Sequence, residues 1–124
     1  MTTRVVIVED APDVREMLIT VLAMHDFEVV GEARDGSEAA GVVEATDPDI
    51  VVMDYMMPEV NGLEATRRIR ATRPDQRVIL YSAYLDGKLR AEAVDAGVAV
   101  CVPKGAGVEE LVREISAAAV ELGD

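Results

Sequence analysis

Five short apolar runs rich in β-branched residues punctuate the chain, at residues 4–9, 27–33, 49–53, 77–81 and 98–102, and each reads as a strand. Within them the apolar residues are nearly continuous rather than alternating, notably Val5 to Val8, Ile50 to Met53 and Val78 to Leu80. Strands of that kind are covered on both faces, so the sheet is expected to be largely parallel. Between the runs the period changes to that of a helix. Val14, Met17, Leu18, Val21 and Leu22 follow Pro12 at i, i+3, i+4, i+7 and i+8, and Val108, Leu111, Val112, Ile115, Ala118, Ala119 and Leu122 form a second such stripe. A helix should open at Asp35-Gly-Ser-Glu38, with Asp35 as cap and Glu38 reaching back. Another should follow Asn61-Gly62 through Ile69, and a fourth, with the weakest apolar face, should occupy 86–96 and stop at Gly97. Five strands alternating with five helices predict an α/β fold: a three-layer, doubly wound (βα)5 domain around a five-stranded parallel sheet.

The 124 residues suit one domain, expected to span 1–124. Twelve basic against 24 acidic residues give a net charge of −12, which repels nucleic acid and anionic lipid, so direct nucleic-acid binding by this chain is not expected. No apolar run approaches the ~20 residues of a membrane span, and no membrane association is expected. The single Cys101 has no partner for an internal disulfide, and no Cys/His cluster has zinc spacing, which points to a reducing, cytoplasmic setting.

Ligands of an open α/β sheet sit beyond the carboxyl ends of its strands. There the first run ends in Glu9-Asp10, the third in Asp54, the fourth in Ser82 and the fifth in Lys104 after Val102-Pro103. Three carboxylates gathered at one edge repel unless a cation holds them, and Mg²⁺ fits because it needs few protein ligands and accepts phosphate oxygens. Asp54 is then the expected nucleophile for a phosphoryl group, Glu9 and Asp10 the metal holders, and Lys104 and Ser82 the groups that neutralise and orient the phosphoryl oxygens. The bland alternatives are a turn aspartate, a strand-end hydroxyl and a solvated lysine. Their coincidence at matching strand ends weighs against each.

These residues resemble the receiver domain of bacterial two-component response regulators over essentially the whole chain. The likeness rests on Val6-Ile-Val-Glu-Asp10, Asp54-Tyr-Met-Met-Pro58-Glu-Val-Asn-Gly62, Tyr81-Ser82-Ala83 and Pro103-Lys104. The resemblance implies the strand order 2-1-3-4-5, the general pattern of flavodoxin and the chemotaxis receivers. It also implies phosphorylation of Asp54, Mg²⁺ held by Asp10, Asp54 and the Met56 carbonyl with Glu9 acting through water, and phosphoryl contacts from Lys104 and Ser82. The implied donor is a sensor histidine kinase or phosphotransfer protein, and the implied output is a rearranged surface of helix 4, strand 5 and helix 5. A homodimer through that surface, or through helices 1 and 5, belongs to the same set of implications. No turnover of an external substrate is expected.

Two positions depart from the family pattern. Cys101 stands where an aromatic switch residue usually lies, so we expect the Tyr81 or Tyr84 ring, or a partner, to take the lever's part. Gly105 follows Lys104 where many receivers have proline, a feature often shared by regulators with a helix-turn-helix effector. Glu9-Asp10-Ala-Pro-Asp13 would repel the phosphate of a flavin cofactor, and Met56 replaces the second acid of an aspartyl phosphatase. A phosphorylation-independent pseudo-receiver that serves as a protein-binding module stays open as the rival reading.

Overall fold

The computed structural model describes residues 2–123; Met1 and Asp124, the outermost residues of the expected domain, lie outside them. Five strands, β1 (Arg4–Val8), β2 (Glu28–Ala33), β3 (Ile50–Asp54), β4 (Arg77–Ser82) and β5 (Val100–Pro103), form one sheet in the order β2-β1-β3-β4-β5. Every pairing is parallel. The helices are α1 (Pro12–Met24), α2 (Gly36–Thr46), α3 (Gly62–Thr72), α4 (Gly87–Ala96) and α5 (Val108–Gly123). The expected three-layer (βα)5 architecture and strand order are both present.

The uninterrupted strands are apolar because each face of the sheet feeds a separate core. Val6, Val8, Val51, Met53, Val78 and Leu80 point to one side with Ala39, Val43, Leu63, Ile69, Leu89 and Ala93 from α2, α3 and α4. Val5, Ile7, Ile50, Val52, Ile79 and Tyr81 point to the other, with Leu18 and Leu22 of α1 and Leu111 and Ile115 of α5. Cys101 packs against the first cluster, and Val102 belongs to the second. Alternation along each strand thus sorts residues between two dry cores rather than between core and water.

Helix starts follow local chemistry. The carboxylate of Asp35 accepts from the Glu38 amide, and Glu38 returns the favour one residue further back, accepting from the Arg34 amide at 2.9 Å. Asn61 Oδ1 accepts from the Leu63 and Glu64 amides and Asp86 from that of Leu89. Two boundaries differ from the sequence expectation by more than one residue. Helix α3 runs three residues past Ile69 and ends ahead of Pro74, which disfavours helix in the residue before it. Gly97 takes φ 95°, and the Val98 amide closes back on the Ala93 carbonyl, so β5 starts at Val100 rather than 98. A 3-10 turn at Lys104–Ala106, unforeseen from the pattern, links β5 to α5.

Gly62 sets the distance between α3 and the tip of β3. A Cβ there would lie 2.2 Å from the backbone oxygen of Asp54 and 3.0 Å from Met53 Cγ, whereas one at Gly87 would meet nothing within 4 Å. Gly62→Ala should therefore cost about 3 kcal/mol in chemical denaturation, against a change within about 0.5 kcal/mol for Gly87→Ala. Equal stabilities for the two variants would show that the α3–β3 approach is not constrained at this glycine.

Candidate functional site

Parallel register brings the strand ends together. Val8 pairs with Met53, Asp54 with Tyr81, and Ser82 with Pro103, so Glu9, Asp54, Ser82 and Lys104 reach the same edge from four adjacent strands. One carboxylate oxygen each from Glu9, Asp10 and Asp54 lies within 4.8 Å of the others. Glu9 and Asp54 are buried, at 2% and 5% exposure, and Asp10 is half-buried. Lys104 Nζ donates to Glu9 Oε1 at 2.9 Å and lies 3.2 Å from Asp54 Oδ1. When all four groups are ionised, one ammonium faces three carboxylates and two negative charges remain unbalanced. Hard carboxylate oxygens at this spacing, with charge to spare, are a donor set for a divalent cation.

The electrostatics follow from this crowding. Burial first, and then the charge of Glu9, push the Asp54 carboxyl up to about 7, although Lys104 pulls in the opposite sense. Burial works against the charge of Lys104, but its hydrogen bond to Glu9 and the charge of Asp54 outweigh that and hold the ammonium above the ordinary lysine range. Burial also raises the Tyr81 phenol, whose ring centroid lies 5.7 Å from Lys104 Nζ.

Ser82 and Met56 are placed differently from the charged groups. Ser82 is fully buried, and its hydroxyl donates to the Tyr84 carbonyl at 2.9 Å while accepting from the Tyr84 amide at 3.2 Å. It is therefore engaged with the turn after β4 rather than with the carboxylates. The Tyr84 phenol donates to Asp86 Oδ2 at 2.8 Å, and the other oxygen of Asp86 caps α4. Met56 lies in the loop between β3 and α3 with an exposed side chain, and its carbonyl accepts none of the hydrogen bonds found among the described residues. Of the two tyrosines singled out from the sequence, Tyr81 is buried beside Lys104 and Tyr84 is exposed on the Ser82 turn.

One residue escaped the sequence reasoning. Arg15 of α1 donates through Nη1 to the Glu9 carbonyl at 2.9 Å and through Nε to Glu32 Oε1 of β2 at 3.0 Å. Its signal was a cation near a helix N-terminus, where the dipole favours anions, so something local must hold it.

The raised Asp54 carboxyl makes a stability prediction. Its folded value lies above the ordinary 3.8, so the metal-free protein loses stability as pH rises from about 4 to about 7, and the loss persists above that. Asp54→Asn, which cannot ionise, should be more stable than the wild type at pH 8 without divalent ions, by on the order of 2–4 kcal/mol. The gain should fade near pH 4, which thermal melts at the two pH values would measure. A variant no more stable than the wild type at pH 8 would mean that Asp54 is not strained by its burial and its neighbours.

Residues 5–116 match the family model of the response regulator receiver domain. A protein-glutamate methylesterase/protein-glutamine glutaminase of Anaeromyxobacter dehalogenans is 42% identical over 84% of this chain, which spans only 31% of that relative. The chemotaxis protein CheY of Thermotoga maritima is 40% identical over 78% of this chain and 81% of its own length. Among solved structures, a two-component response regulator of the LuxR family from Aurantimonas sp. SI85-9A1 superposes with a TM-score of 0.91 at 36% identity, covering 94% of this chain and 84% of that one. The fold, the acidic edge and these likenesses converge: the chain belongs to the response regulator receiver domain family, and its acidic cluster lies where that family carries out phosphoryl chemistry.

Proposed function

We infer that Asp54 accepts a phosphoryl group from a sensor histidine kinase or phosphotransfer protein, and that the domain passes the change on as a two-component signal. The observation that carries this reading is the buried Asp54 carboxylate, inside the Glu9–Asp10–Asp54 cluster and 3.2 Å from Lys104. Family membership implies the kinase or phosphotransfer partner. No helix among the described residues is long and apolar enough to cross a membrane.

Mg²⁺ is the cation proposed for the cluster, and when bound it supplies the charge neutralisation that the transferring phosphoryl oxygens require. Asp10, Asp54 and the Met56 carbonyl would hold it, with Glu9 assisting. A carboxylate oxygen of Asp54, fixed by the packing of β3, attacks phosphorus in line. The bond from phosphorus to the donor's imidazole nitrogen breaks, and its electron pair leaves with that nitrogen. Lys104, already between Glu9 and Asp54, turns its ammonium to the new phosphoryl oxygens. Attack by water on the acyl phosphate later returns the free carboxylate.

Transmission is proposed to run through Ser82. Turning its hydroxyl toward the phosphoryl group gives up both hydrogen bonds to Tyr84, and Tyr84 is tied through its phenol to the cap of α4. That route needs no aromatic residue at position 101. Of the two rings considered from the sequence, Tyr84 is the one on this path.

Incubation with acetyl phosphate and Mg²⁺ should add one phosphoryl group by mass spectrometry to the wild type and none to Asp54→Ala. With the beryllofluoride mimic, the Tyr84 and Asp86 amide resonances should shift. No mass gain and no Mg²⁺ dependence would favour the pseudo-receiver. Phosphorylation that leaves Tyr84 and Asp86 unmoved would remove this route of transmission while keeping the acceptor.

A further inference from the structure

We propose that Arg15 is a positioning residue for the cation site, acting through the Glu9–Asp10 peptide rather than on the cation or the phosphoryl group. The inference rests on the phosphoacceptor reading and adds a residue to it. The turn from β1 to α1 consists of Glu9, Asp10 and Ala11 alone. Unlike α2, α3 and α4, helix α1 has no capping side chain, since Ala11 occupies its N-cap. Asp10 is thus left free to face the cluster, at the cost of a turn with few restraints of its own.

The restraints it does have converge on Glu9. The Glu9 amide donates to the Ala33 carbonyl at 3.1 Å, and Glu9 Oε2 accepts from the Ala11 amide at 3.2 Å. The Glu9 carbonyl is held by Arg15 Nη1 at 2.9 Å. That carbonyl and the Asp10 amide share one planar peptide, so fixing the oxygen also holds the Asp10 nitrogen and Cα, from which its side chain departs. The guanidinium is itself braced. Nε donates to Glu32 on the neighbouring strand, and the Arg15 side chain is only 12% exposed while that of Glu32 is 51% exposed. A rigid fork with one tine on a carbonyl and one on a carboxylate locks a peptide plane, which a single flexible ammonium does less well. Contacts that hold the ligand-bearing residues of a metal site without touching the ion commonly matter about tenfold or more to its affinity.

The test is the Mg²⁺ dependence of phosphorylation by acetyl phosphate in the full chain. Arg15→Ala should raise the half-saturating Mg²⁺ concentration about tenfold, with the rate at saturating Mg²⁺ recovering toward the wild-type plateau. Arg15→Lys should raise it about threefold and Glu32→Gln less than that, because each keeps part of the brace. These milder variants carry the test should Arg15→Ala fail to fold. A purely structural role would lower the melting temperature and the plateau while leaving the half-saturating Mg²⁺ concentration unchanged, and that result would overturn the proposal. Wild-type protein with no Mg²⁺-dependent phosphorylation would overturn the phosphoacceptor reading and this inference with it. A normal wild type with unchanged variants would overturn only the role of Arg15.

Discussion

The ion pairs from Lys104 to Glu9 and Asp54 are the interaction on which the site depends. They join β5 to β1 and β3 at a sheet edge where the parallel strands deliver acidic side chains. Two like charges at the separation of this cluster repel by roughly 3 kcal/mol per pair at an effective dielectric constant of about 20. Lys104 offsets part of that, and the remainder adds to burial, the larger cause, in raising the Asp54 carboxyl. The fold is thus able to hold the acids together but not to satisfy them. A dication would relieve the excess, and a phosphoryl group arriving with its own negative charge would then depend on both cations.

The same constraint explains how rigidity is distributed around the site. β3 carries Asp54 from the middle of the sheet between two dry cores, and Gly62 lets α3 close against its tip. Asp10 instead sits on a three-residue turn whose helix lacks a side-chain cap, and Arg15 supplies the missing restraint from α1. Ser82 ends β4 and Tyr84 lies on the turn toward α4, where exchangeable hydrogen bonds join the two. The proposed attack would therefore take place on a strand buried along its whole length, and rearrangement would be left to a turn whose bonds can be exchanged.

Much of this was legible in the sequence, for physical reasons. Continuous apolar runs reveal strands covered on both faces, and once the sheet is parallel the residue after each run must lie at the ligand-binding edge; Glu9, Asp10, Asp54 and Lys104 were found that way. Asp35, Asn61 and Gly97 were readable because capping is local chemistry. Contacts that depend on side-chain rotamers were not. Ser82 was assigned by its position at the end of β4, but its hydroxyl bonds to the Tyr84 backbone, a choice that no periodicity encodes. Arg15 was missed because its partners are a backbone carbonyl and an edge-strand glutamate 17 positions away. The 3-10 turn at Lys104–Ala106 was equally silent, being set by how β5 hands over to α5.

The central claim is that an under-balanced acidic cluster holds a divalent cation at the strand ends. Its most direct test is a Mg²⁺ titration at pH 8 followed through the side-chain carboxyl carbon resonances of Asp10 and Asp54. The account predicts saturable shifts at both residues, together with a fall in the pH at which Asp54 titrates from about 7 toward the ordinary carboxylate range. Resonances that ignore Mg²⁺, with Asp54 titrating at the same pH in its presence and absence, would contradict it.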